Sequence, residues 1–245
     1  MSVKYETEVE EISGSEPDVD SRTAVLPSFP AYTLALLACI LAVMAAQVYR
    51  GLDLSILAAG FVKPAFISNH EYWRIVTGAA LHGSYLHVAM NGYALYSFGR
   101  LFEMLSNRAH LAIVFILSAI GGGILSLIMV PEGISVGASG GIVGFISYLA
   151  VYGFRRRQFI SPEFRKNLLI NIGFILVFGL VLYQIIDNYG HIGGLIAGAV
   201  YGFIQIPSDQ YVDPRDVRPV TEVFGLIALG TYIAASLFSI YLILT

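Results

Sequence analysis

From about residue 30 onward, apolar runs of membrane-spanning length alternate with short polar connections. Four runs are the clearest, at about 30–49, 110–130, 168–186 and 223–244, each near the 20 predominantly apolar residues that a bilayer-spanning helix requires. Three more, at about 82–103, 137–154 and 190–206, are interrupted by glycine, histidine, asparagine or serine. Polar groups are costly in hydrocarbon, so membrane helices keep them where they pack or act. The pattern predicts seven spans, with function concentrated in the interrupted three. The segment at 50–81 is long and apolar for a loop and carries Phe61, Phe66, Tyr72, Trp73 and Arg74. Aromatic and Arg side chains favour the membrane interface, which predicts a structured loop partly immersed in the outer leaflet.

Composition agrees with this pattern. Of 245 residues, 56% are hydrophobic and 13% charged, with a mean hydropathy of +0.72. Soluble domains carry about 25% charged residues, so the composition is that of a membrane protein, and the seven predicted spans make the expected fold class an all-α polytopic one. Residues 1–28 differ, with seven acids against Lys4 and Arg22. They read as a disordered, solvated cytoplasmic tail with no assigned function. This stretch lacks the basic n-region of a signal peptide, so the first apolar run is expected to persist as a span. Cys39, the single cysteine, lies in that run and reads as a buried structural thiol.

Basic residues orient the spans. Connections after the second, fourth and sixth carry Arg100, Arg108, Arg155, Arg156, Arg157, Arg165, Lys166, Arg215 and Arg218. Those after the first, third and fifth carry Arg50, Lys63 and Arg74. Basic residues stay on the cytoplasmic side and acids count little, which predicts a cytoplasmic N-terminus and an external C-terminus.

A depth estimate follows from counting. Ser139 lies sixteen residues before Arg155, His191 sixteen before Pro207, and His87 sixteen before Glu103. Sixteen helical residues rise about 24 Å against a hydrocarbon core of about 30 Å. All three side chains are therefore expected about one turn below the outer boundary, at one level.

Their chemistry suits acyl transfer. A hydroxyl and an imidazole form the minimum kit for nucleophilic catalysis. Ser139 sits in Gly137-Ala138-Ser139-Gly140, where free N–H groups of a helix start can face an oxyanion. The match to the G-x-S-x-G elbow of soluble hydrolases is false by context, because no strand–turn–helix pattern surrounds it. Gly194 and Gly198 follow His191 on one helix face, while Gly137, Gly140 or Gly141, and Gly144 form a similar stripe. Small residues at this spacing let membrane helices approach, which is expected to bring Ser139 beside His191. His87 and Asn91 share a helix face and can both donate to an oxyanion. A metal site there is disfavoured, since asparagine is a poor transition-metal ligand and no acid or cysteine joins it. His82, five residues before His87, is expected to point away from it and to serve the outer loop structurally. His70 and His110 read as ordinary polar positions.

These residues closely resemble the rhomboid family of intramembrane serine proteases. The nucleophile motif matches at Gly137-Ala138-Ser139-Gly140, and the second-span motif at His82, His87 and Asn91. The sixth-span motif matches at His191, Gly194 and Gly198, and the first-loop motif at Glu71, Trp73 and Arg74. Glu103 resembles the family's buried structural glutamate. The resemblance covers about residues 30–206. It implies a rhomboid-like six-helix core over 29–206, then a connection and a seventh transmembrane helix over 207–245, the six-plus-one form.

The resemblance further implies a dyad, with Ser139 as nucleophile and His191 as general base. His87, Asn91 and the Ser139 N–H would form the oxyanion hole. Glu71, Trp73, Arg74, His82, Glu103, Gly137, Gly140, Gly194 and Gly198 would give structural support. No cofactor or metal is implied, and no nucleic-acid partner. Substrates would be single-span membrane proteins cut near the outer face, with membrane lipid as the surrounding partner and a bacterial plasma membrane as the location. No acid completes a triad, since Asp187 lies in the outer connection. One position departs from the pattern: Val143 stands where many family members carry an aromatic packed on the catalytic histidine. Phe145 or Tyr189 would then have to support the imidazole. Segments 131–136 and 185–190 are candidate gates. The alternatives are a catalytically silent rhomboid-like protein that binds membrane clients, and a transporter, for which the expected repeat symmetry between halves is missing.

Overall fold

The computed structural model describes residues 29–209 and 211–245, so the acidic tail expected over 1–28 lies outside the described residues. The chain is a mostly helical, multi-pass membrane protein. Seven of its described helices have 17 to 26 residues: α1 (Ala31–Arg50), α5 (Tyr85–Leu105), α6 (Arg108–Met129), α7 (Ser139–Arg155), α8 (Pro162–Val181), α9 (Asn188–Gln205) and α10 (Pro219–Leu244). Of these, α1, α6, α8 and α10 are long and apolar enough to cross a membrane on length and composition alone. The other three are those that polar residues and glycines interrupt.

Local signals set the ends. Ser84, Asn107 and Ser161 cap α5, α6 and α8 by accepting from a backbone N–H in the first turn. Helix α8 starts six residues before the expected 168, because Ser161, Pro162 and Glu163 form a strong helix start that hydropathy alone overlooks. Proline at the first position likewise starts α10 at Pro219, ahead of the expected 223. Pro30 gives α1 no side-chain cap. Glu103, near the end of α5, accepts there instead from Thr33 N and Thr33 Oγ1, both at 2.7 Å.

The loop between α1 and α5 holds three short helices, α2 (Leu52–Ala59), α3 (Lys63–Ser68) and α4 (Arg74–Thr77). It also holds strand β1 (Phe61–Val62), which pairs antiparallel with β2 (Ile134–Ser135) in the connection from α6 to α7. This two-stranded ladder, two residues on each side, is an addition to a mostly helical fold that the sequence pattern does not announce. In it, each loop satisfies backbone groups of the other. Lys63 N also donates to Gly133 O, and Gly137 N to Gly78 O.

Arg74 holds the loop together. Its Nη1 donates to Leu57 O at 3.2 Å and Gly60 O at 2.8 Å, its Nε pairs with Glu71, and its guanidinium lies 4.5 Å from the Trp73 ring centroid. The Arg74 hydrogen bond holds the Glu71 carboxyl below the usual carboxylate range. Arg74→Ala would leave two carbonyls without their donor, at about 1–3 kcal/mol each. Thermal unfolding should therefore show a loss of about 2–4 kcal/mol, which Lys at this position does not restore because it lacks the forked donors. A loss below about 0.5 kcal/mol, the scale of a neutral surface change, would show that the loop does not depend on Arg74.

Helix α9 packs between α6 and α7, and α10 packs on α1 and α6. Tyr232 of α10 is fully buried, stacks edge-on against Phe115 and donates to Ala79 O at 3.2 Å. Phe238 meets Trp73 edge-on at 5.2 Å. The last helix thus braces both the bundle and the loop. Cys39, on α1, is half-buried rather than fully enclosed.

Candidate active site

Ser139 is the first residue of α7, His87 the third of α5 and His191 the fourth of α9. All three therefore occupy the first turn of their helices. His191 Nε2 and Ser139 Oγ are 2.9 Å apart, a hydrogen bond in which the hydroxyl donates when the ring proton is on Nδ1.

Glycine makes this approach possible. A Cβ on Gly194 would run into Gly140 O, and one on Gly198 would lie 2.6 Å from Gly144 Cα. The facing stripes expected on these spans therefore meet, with backbone against backbone. Gly140 is different: a Cβ there would meet nothing nearer than 3.7 Å, an ordinary contact. A second seam, unread in the sequence, joins α9 to α6, where Gly121 and Gly122 face Gly193 and Gly190. The run Gly121-Gly122-Gly123 within an apolar span was its available signal.

Gly137 turns the chain into α7 with φ +125°, a conformation that favours glycine. Ala138 at the N-cap offers no side-chain acceptor, so the leading N–H groups of α7 are uncapped by side chains. His87 and Asn91 close the other side. A Cβ on Gly137 would lie 2.8 Å from His87 Nε2 and 3.4 Å from Asn91 Nδ2. Asn91 Nδ2 is buried and has no hydrogen-bond partner among the described residues. Buried donors are rarely left unpaired, so this one, next to Gly137, calls for an acceptor. Ser139, His191, Ser135, Asp187, Phe61 and Ile75 line a shared cavity of about 50 Å³.

Two expectations are corrected here. His82 does not point away from His87: their rings lie edge to face at 5.0 Å. Helix α5 begins only at Tyr85, so helical spacing does not apply to His82. The His82 backbone instead clasps Gln47, donating to Oε1 at 2.9 Å and accepting from Nε2 at 3.0 Å. Phe145 does not support the imidazole, because its ring packs against Phe102 and Phe115 on the opposite side of α7. Val143 packs towards Gly194. Asp187 caps α9, accepting from Gly190 N at 2.8 Å, and is not bonded to His191 Nδ1. His110 Nδ1 bonds Tyr201 Oη at 2.8 Å, and His70 bonds Tyr72, both outside the cavity.

A family model described as Rhomboid domain matches residues 69–208. The chain is 33% identical over 144 residues to Rhomboid protease GluP of Bacillus subtilis (strain 168), covering 59% of this chain and 28% of that protein. It is 35% identical over 148 residues to Rhomboid-like protease 3 of Toxoplasma gondii, covering 59% and 55%. It is also 30% identical over 164 residues to Inactive rhomboid protein 1 of Bos taurus, covering 65% and 19%. The aligned part thus spans at most 55% of the length of these three curated relatives.

Proposed function

The chain belongs to the rhomboid family, and on that footing we propose that it is an intramembrane serine endopeptidase with a Ser139–His191 dyad. The observation that carries this reading is the 2.9 Å contact between His191 Nε2 and Ser139 Oγ. His191 takes the hydroxyl proton as Ser139 attacks a peptide carbonyl. The oxyanion is met by His87, Asn91 and the Ser139 N–H, with the unpartnered Asn91 Nδ2 as the supporting observation. The imidazolium then protonates the leaving amine, and water hydrolyses the acyl-enzyme by the reverse proton path. No metal or cofactor takes part.

Substrates are single-span membrane proteins cut near the outer membrane face. The narrow cavity beside Ser139 suits small residues at the scissile bond. The seven long helices make a six-span core over 29–206 and one further span within 207–245. The N-terminus is cytoplasmic and the C-terminus external, in a bacterial plasma membrane. Glu71, Trp73, Arg74, His82, Glu103, Gly137, Gly194 and Gly198 support the site, as does Gly140 through its backbone, which Gly194 meets, rather than through the lack of a side chain. Helix α8 buries only Leu168 and Gly179, which supports a gating role for its outer end.

A second reading rests on the likeness to an inactive family member: a silent protein that binds membrane clients. One experiment separates the two. A fluorophosphonate probe added to the detergent-solubilised protein should label wild type, and label neither Ser139→Ala nor His191→Ala. An unlabelled wild type, or equal labelling of Ser139→Ala, would falsify the protease reading.

A further inference from the structure

The first turn of α9 is held by a polar chain that starts in the loop between α1 and α5, buried at Lys63 and Ser126 and half-buried at Ser135 and Asp187. Lys63, at 2% exposure, donates from Nζ to Ser126 Oγ on α6 at 2.7 Å. Ser126, fully buried, in turn donates to Asp187 Oδ2. Ser135 of β2 donates to the same oxygen at 2.5 Å, while Asp187 Oδ1 accepts from Gly190 N at 2.8 Å. The donor count is consistent with an ion pair relayed by a hydroxyl. Ser126 has one hydrogen, which goes to the carboxylate, and a lone pair that receives the ammonium. Three donors, the Ser126 and Ser135 hydroxyls and Gly190 N–H, converge on the Asp187 carboxylate.

The Lys63 charge is not easily buried alone. An isolated ion in an apolar interior costs several kcal/mol, and a paired one is tolerated when its remaining hydrogen bonds are met. Burial pushes the Lys63 ammonium down in pKa, and the charge of Asp187 opposes that. The arrangement is also close to the chemistry. Asp187 and Ser135 line the cavity that Ser139 and His191 share, and His191 N donates to Asp187 O at 3.1 Å in the opening turn of α9.

We infer that Asp187 is a positioning residue for His191, and that Lys63 balances its charge across Ser126, so that the loop after α1 becomes a brace of the catalytic helix. This rests on the Ser139–His191 dyad proposed above. Asp187 fixes where α9 begins and ties that turn to α6 and β2. Lys63 makes the tie dependent on the loop, which is otherwise remote in sequence from both catalytic residues.

The test is a mutant cycle in the full chain, reconstituted in lipid, comparing Asp187→Asn, Lys63→Met, their double mutant and Asp187→Ala. Asn keeps a capping oxygen and the side-chain shape but removes the charge. Asp187→Asn leaves the buried Lys63 without its anion, and Lys63→Met leaves the half-buried Asp187 without its cation. Each should melt at lower temperature and react with the fluorophosphonate at least tenfold more slowly than wild type. The double mutant should recover to within about threefold of the wild-type labelling rate, because no lone charge remains. Asp187→Ala also loses the cap, and Lys63→Met should not rescue it. If a single mutant fails to fold, recovery of folding in the double mutant reads the same coupling. Additive losses in melting temperature would overturn the ion pair. Coupled melting with unchanged labelling rates would overturn the positioning role. An unlabelled wild type would instead strike the dyad, while the melting cycle still reported on the pair.

Discussion

Ser139→Ala is expected to reduce cleavage of a single-span reporter in reconstituted membranes by roughly 10⁴- to 10⁶-fold, and His191→Ala by a similar factor. The size follows from what each group supplies. Without the hydroxyl there is no acyl-enzyme, and without the imidazole the hydroxyl stays protonated and weakly nucleophilic. The two act as one unit across their 2.9 Å hydrogen bond, so their effects should not multiply. The double mutant should match the slower single mutant. Small residual hydrolysis would reflect the oxyanion donors and substrate positioning, which survive both changes. Cleavage within tenfold of wild type in either single mutant, or a product of two separate losses in the double, would mean that the pair is not the catalytic unit.

Much of this geometry was legible in the chain, and for identifiable reasons. Periodic apolar runs and glycine spacing are local, and they located seven long helices and the α7–α9 seam around Gly194 and Gly198. Counting back from Arg155, Pro207 and Glu103 predicts matching positions for Ser139, His191 and His87, and all three occupy first turns of their helices. What escaped depends on contacts between distant segments. Phe61 pairs with Ser135, and Lys63 reaches Ser126, and nothing in either neighbourhood announces the partner. The His82–His87 contact was misread because it assumed helix before Tyr85, where Gly83 and Ser84 turn the chain. The start of α8 was legible but outweighed: Ser161-Pro162-Glu163 is a helix start, yet its next turn carries Arg165 and Lys166, which lower hydropathy.

Gly198 is where packing and chemistry should fail together. In membranes, helix association draws on close packing rather than on expulsion of water from apolar faces, so backbone approach matters more than side-chain bulk. A Cβ on Gly198 would lie 2.5 Å from Ser147 Oγ and 2.6 Å from Gly144 Cα, and it would press on Gly144 O. Backbone atoms cannot rotate aside as a side-chain tip can, so α9 must back away from α7. Gly198→Ala should cost about 3 kcal/mol, the upper part of the range for overpacking. At about 2–4 °C per kcal/mol for a chain of this size, the melting temperature should fall by about 10 °C. Activity should fall further than stability alone predicts. His191 rides on α9 and Ser139 on α7, and a displacement near 1 Å between reacting groups costs about 100-fold. Gly140→Ala is the matched control. It adds the same methyl to the same seam, but its nearest neighbours are 3.7 Å away, so it should melt within about 2 °C of wild type. If the two substitutions prove equally mild, the close approach at Gly198 is not what holds the dyad together. If both are equally severe, glycine is needed along the whole seam for a reason other than the contact at Gly144.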